Sequence, residues 1–216
     1  MADEEMKKKV IRTFGFEKPE NPKFYEMSIG NESGYAYPVP IKRKNPKALI
    51  ECNVCDGIER KLLGTSSFTF EGKKEADIYH HPRHVLASEK VLSLLRDADV
   101  VGYKICEVNI EDTNKLKEEH LNQIREIEIV GRCYKIYSVD NQEIKHCSAC
   151  KKVPNDERMK ADKGVMVVDE YWDGSDIFMF DYGLLSIIVT DKVKKIFEAN
   201  GVSNVKFIPL SELKMR

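Results

Sequence analysis

Two stretches of the chain repeat one rhythm of apolar and polar positions. The first is ADIYHHPRHVLASEKVLSLLRDADVVGYKICEV and the second SDIFMFDYGLLSIIVTDKVKKIFEANGVSNVKFIPL. In the first, Val91, Leu94, Leu95 and Ala98 fall on one stripe at helical spacing; Val193, Ile196, Phe197 and Asn200 trace the same stripe in the second. Ser88 and Thr190 stand where N-caps belong, since a hydroxyl there can accept a hydrogen bond from an orphan first-turn amide. Glu89 and Asp191 follow, favoured by the helix dipole, and Asn200-Gly201 supplies a stop. Asp77-Ile78 matches Asp176-Ile177, and Ser88-Glu89-Lys90-Val91 matches Thr190-Asp191-Lys192-Val193. The pattern predicts two amphipathic helices, each followed by a strand, over 102–108 and 205–208. A further strand is expected at 186–189, ahead of the second helix.

Elsewhere the pattern is weaker. Alternation through Ile127, Ile129, Tyr134 and Ile136 predicts more strand across 127–139, and Leu116, His120 and Ile124 suit a short helix within 113–125. Val10 to Phe16 reads as a strand. Residues 17–47 carry Pro19, Pro22, Pro38, Pro40 and Pro46, which predicts irregular chain with short edge strands at most. Within it, Tyr35-Ala36-Tyr37-Pro38 is expected to pack on the body. The reading is a strand and Pro-rich segment over 1–49, a first repeat over 50–146 and a second over 147–216. Together they form one α+β globule of two related strand-helix-strand units with mixed sheets.

Composition narrows the function. Of 216 residues, 42% are hydrophobic and 33% charged, which fits a globular chain. Thirty-five basic side chains against thirty-six acidic ones leave a net charge of −1, so nucleic acid is not the expected partner. The longest apolar run, Leu184 to Val189, is far short of the ~20 residues that span a bilayer. The opening MADEEMKKKVIRTFG lacks the apolar core of a secretory signal. These features predict a cytoplasmic protein without membrane insertion, in which six cysteines stay reduced.

The cysteines carry the chemistry. Cys52-x-x-Cys55 and Cys147-x-x-Cys150 sit at matching places ahead of the two repeats. A two-residue gap lets both thiolates of a turn point at one ion, and two such turns complete a Cys₄ zinc site with no open position. The 91 residues between Cys55 and Cys147 exceed the spacing of an ordinary zinc ribbon. A loop about five times longer adds only about 1.4 kcal/mol of closure cost, against roughly 10–16 kcal/mol from structural zinc. A redox dithiol and unrelated buried thiols are the competing readings. Lys42, Arg43, Lys44, Lys47, Lys145, Lys151 and Lys152 crowd the two turns. They either offset the negative Cys₄ site or form a phosphate-binding face.

Other candidates read as structural. His80-His81-Pro82-Arg83-His84 lacks the glutamate of a helical HExxH motif and is expected to be a surface loop. His146 is expected beside the ligands, and Cys106 and Cys133 in the core. Tyr171, Trp172, Asp173 and Asp176 lie in an acidic stretch holding the only tryptophan. If functional, it suits a protein-binding hot spot facing a basic partner. No phosphate loop or nucleophile elbow is present, and no catalytic residue is assigned.

Two distant CxxC motifs, the second followed by WDGSDIF and by SIIVTDKVKKIFEANGVSNVKFIPL, resemble the double-CXXCG motif family of bacterial, largely myxobacterial, paralogues. The resemblance covers roughly residues 50–210. It implies bound zinc on Cys52, Cys55, Cys147 and Cys150. Some members of the family are immunity proteins, so it also implies a cognate protein toxin as partner, neutralised without catalysis. In the family a glycine directly follows each second cysteine. Here Asp56 follows Cys55 and Lys151 follows Cys150.

Overall fold

Ile187-Ile188-Val189 has no polar alternate because its strand is covered on both faces. The computed structural model describes residues 23–30, 34–45, 47–55, 58–62, 64–82, 84–111, 116–160, 164–180 and 186–213. The strand expected over Val10–Phe16 lies outside them. The largest sheet is ordered β11 (Gly131–Cys133), β14 (Ile177–Phe180), β15 (Ile187–Thr190), β1 (Phe24–Ile29), β16 (Val205–Pro209). In it β11 runs parallel to β14 and every other neighbour is antiparallel. A second sheet, antiparallel throughout, is ordered β6 (Ile78–His81), β7 (His84–Ala87), β10 (Arg125–Ile129), β8 (Tyr103–Cys106). A third joins β2 (Tyr37–Pro40), β5 (Ser67–Glu71) and β9 (Asn109–Ile110). Two small pairs remain, β3 (Lys47–Glu51) with β4 (Ile58–Leu62), and β12 (Tyr137–Ser138) with β13 (Val165–Met166). The helices are α1 (Glu89–Asp97), α2 (Glu118–Asn122), α3 (Asn155–Met159) and α4 (Asp191–Ala199). The architecture is α+β, mostly strands, with mixed sheets.

Alternation sends successive residues of β6, β7, β14 and β15 into different cores. Ile78, Val85, Ala87, Ile177, Ile187 and Val189 face one cluster, which Val91, Leu92 and Leu95 of α1 and Val193 and Phe197 of α4 complete. The residues between them turn the other way. Phe178 and Ile188 enter a cluster around Trp172, whereas Tyr79 and Leu86 enter one with Phe68 and Phe70. Strands buried on both sides read as unbroken apolar runs.

The two larger sheets also share their pairing. Ile78 opposite Ala87 in β6–β7 answers to Ile177 opposite Val189 in β14–β15. Glu126 opposite Leu86 answers to Glu26 opposite Ile188. Ile127 opposite Ile105 answers to Met27 opposite Phe207. In both sheets the strand after the helix is separated from the hairpin before it by a strand from elsewhere in the chain, β10 in one and β1 in the other.

The same correspondence runs through the helix ends. Asp77 Oδ2 accepts from the Ser203 amide at 2.8 Å, the Ser203 hydroxyl at 3.0 Å and Lys90 Nζ at 3.0 Å. Asp176 Oδ2 accepts from the Val101 amide at 3.2 Å and Lys192 Nζ at 3.0 Å. Lys90 reaches on to the Gly201 carbonyl and Lys192 to the Asp99 carbonyl. Asp99 and Gly201 take left-handed φ angles of 47° and 56°. The Val100 amide then returns to the Leu95 carbonyl, and the Val202 amide to that of Phe197, as a Schellman end requires.

Several expectations change. Ser88 and Thr190 do occupy the N-cap positions, but neither hydroxyl caps its helix. The Thr190 hydroxyl instead donates to Asp176 Oδ1 at 3.0 Å. The segment 17–47 is not confined to edge strands: β1 lies inside the largest sheet, with Met27 and Ile29 buried in the shared core. His80, His81 and His84 form the ends of the β6–β7 hairpin rather than a loop. Cys133 is buried as expected, but Cys106 on the outer strand β8 is only partly covered. Boundaries at 49 and 146 do not follow the sheets, since β1 and β11 both join the strands of residues 147–216.

Candidate metal centre

Each CxxC pair sits in a turn with the same local wiring. In the first, the amides of Val54 and Cys55 donate to the Cys52 sulfur; in the second, those of Ala149 and Cys150 reach Cys147. Amides aimed at sulfur favour the thiolate. The Cys150 and Ala149 amides bring Cys147 down to about 6, and the Val54 and Cys55 amides hold Cys52 below its ordinary value. The first turn closes the β3–β4 hairpin. The second is closed by the Lys151 amide on the Cys147 carbonyl at 3.0 Å and the Cys147 amide on the Lys152 carbonyl at 2.9 Å. Ile144 and Val153, on either side of it, are buried in the Trp172 cluster.

The fold brings the four sulfurs together. Cys52 Sγ lies 3.8 Å from Cys147 Sγ, and Cys55 Sγ lies 3.4 Å from Cys150 Sγ. All four lie within 4.8 Å of one another and none forms a disulfide. Thiolates at ~2.3 Å from a tetrahedral ion stand about 3.8 Å apart, so this spacing fits a Cys₄ metal site. Equivalent positions of the two turns face each other across the centre. Among the described residues no other group of three or more His, Cys, Asp or Glu could hold a metal. His146 adjoins Cys147 outside that group of four.

Lys151 takes φ of 62°, the left-handed conformation that a glycine would adopt without a side-chain penalty. The turn is kept although the glycine is absent. Asp56 and Gly57 lie outside the described residues. Lys42, Arg43, Lys44, Lys47, Lys145 and Lys152 are exposed.

Tyr171, Trp172, Asp173 and Asp176 do not form an open face. Trp172 is 0% exposed, and its indole N–H donates to the Ser175 carbonyl at 3.0 Å. Asp173 is buried, accepting from the Arg132 amide at 2.7 Å and from the Ser175 amide at 2.9 Å. Asp176 is engaged at the end of α1, as described above. Tyr171 is half-buried against the ring of Tyr137, with Lys135 Nζ 4.4 Å above its own ring. These side chains fill the fold because backbone amides and a core, rather than water, satisfy them. Exposed large apolar residues lie elsewhere: Leu49 and Ile50 on β3 and Val54 in the first turn stand close together in sequence, and Tyr37, Ile105, Val139 and Met159 are scattered over other segments. For Leu49 and Ile50 the sequence signal is KALIE, an apolar centre between opposite charges. No helix among the described residues is long and apolar enough to cross a membrane. No protein-family model and no curated protein matches this chain.

Proposed function

We propose that the chain is a non-enzymatic, cytoplasmic bacterial immunity protein that binds and neutralises a cognate protein toxin, with one structural zinc on Cys52, Cys55, Cys147 and Cys150. The observation that carries the zinc is the convergence of four sulfurs within 4.8 Å. All four are donated by protein, so the ion keeps no open position for substrate and serves structure. The toxin partner rests on the resemblance of the two CxxC motifs and the C-terminal segment to the double-CXXCG family.

In this reading the chain is a duplication. Each unit runs from an opening strand through a CxxC turn, a hairpin and a helix to a closing strand. The opening strand of each unit, β1 or β10, lies in the sheet of the other. The matched registers and the reciprocal Asp77 and Asp176 contacts support this exchange, and the metal sits where the two turns meet.

Protein purified without chelator should carry one zinc per chain by elemental analysis. It should also capture the toxin-like product of a neighbouring reading frame. Absence of metal overturns the zinc, and zinc-loaded protein that fails to capture that product overturns the partner. A zinc-stabilised nucleic-acid-binding module is the second reading, favoured by the exposed lysines and Arg43 around both turns. Salt-dependent binding of DNA or RNA without capture of the toxin would select it.

A further inference from the structure

We infer that the β3–β4 hairpin is a docking edge for a second copy of this chain, joined β3 to β3 in antiparallel register centred on Leu49. The two strands pair with each other and with no further strand among the described residues. Among the described residues the far side of β3 is therefore an unpaired sheet edge, the surface most ready to accept another strand. Leu49 is 68% exposed and Ile50 46%, with Val54 61% exposed in the adjoining turn. Solitary edge strands are usually protected by a charge at the centre, a proline or a bulge. Here Lys47 and Glu51 stand at the two ends and the apolar residues lie between them.

That order is complementary to itself. A twofold axis through Leu49 sets Lys47 against Glu51 of the second copy, and does so twice. It also sets Ala48 against Ile50 twice and Leu49 against its own counterpart. Directly opposed residues of antiparallel strands share a face and interact, and a self-complementary patch closes as a dimer. Sliding the register by two residues either way removes both ion pairs, so the charges select one alignment. A strand from another protein would need the same charges in mirrored order. Dimerisation through β3 does not depend on the toxin reading.

Sedimentation velocity over a concentration series of the full chain, with its metal, should show a monomer–dimer equilibrium. Leu49→Lys should leave only monomer, with unchanged circular dichroism and zinc content, because that side chain is mostly in solvent. Lys47→Glu and Glu51→Lys each set like charges opposite one another twice. Each should raise the dimer dissociation constant by about tenfold or more. The double variant Lys47→Glu/Glu51→Lys restores both pairs in reverse and should recover the wild-type constant. The assignment is overturned by wild-type protein that stays monomeric to its solubility limit, or by Leu49→Lys protein that still dimerises. Folded single variants that weaken the dimer without recovery in the double variant also overturn it.

Discussion

Lys151 sits in a conformation that suits glycine, one residue beyond Cys150 of the sulfur cluster. Its φ of 62° places Cβ against its own backbone, a strain of about 1–2 kcal/mol for an L-residue. Lys151→Gly should therefore raise the free energy of unfolding by about 0.5–1 kcal/mol in urea titrations, most clearly at high salt, where loss of the lysine charge is screened. Cys147 supplies a pH signature. Its folded value of about 6 lies below that of a free thiol, so the thiolate persists above that pH and is lost as pH falls through it. Zinc bound as proposed would compete with that proton. The pH dependence of zinc affinity, followed with a competing indicator dye, should steepen by one proton per ion below about pH 6. The clustering of the four cysteines was legible because CxxC spacing is itself a geometric statement. Trp172, Asp173 and Asp176 misled because an acid satisfied by buried amides has the same letter as an acid in water. Nothing in WDGSDIF distinguishes the two.

At the level of elements, Asp77 and Asp176 each tie the start of one hairpin to the end of the other sheet's helix. Burial alone would raise the Asp77 carboxyl, but the Ser203 amide, Lys90 and the Ser203 hydroxyl outweigh it and hold it below its ordinary value. Its stabilising effect is then present above about pH 4 and disappears as pH falls through the lower folded value. Asp77→Asn should cost about 1–3 kcal/mol in urea unfolding at pH 7, shrinking toward zero in strong acid. Helices α1 and α4 were legible because a local stripe fixes a helix. β1 was not. Its Tyr25, Met27 and Ile29 alternate clearly, but prolines surround it and its hydrogen-bonding partners lie in the last thirty residues of the chain. The β6–β7 hairpin was hidden likewise by Pro82, which here falls in its turn.

For the whole molecule, the two CxxC turns differ in support. The second is anchored by Ile144 and Val153 in a hydrophobic cluster, whereas the first caps a hairpin that, among the described residues, pairs with no further strand. A lone two-stranded hairpin is marginal in water, so the sulfur cluster is its main tether. Chelation should therefore speed amide hydrogen exchange across 47–55 and 58–62 well before it reaches α1 or α4. Equal loss of protection everywhere would show that the metal holds the entire fold. The place of β1 has a further consequence for how the protein is made. It is the first of the described strands to leave a ribosome, yet both its neighbours are among the last, β15 and β16. FYEMSI must wait, bare on both edges, until β15 and β16 have been made. A product stalled before Val205 would keep one of those edges open, ready to aggregate.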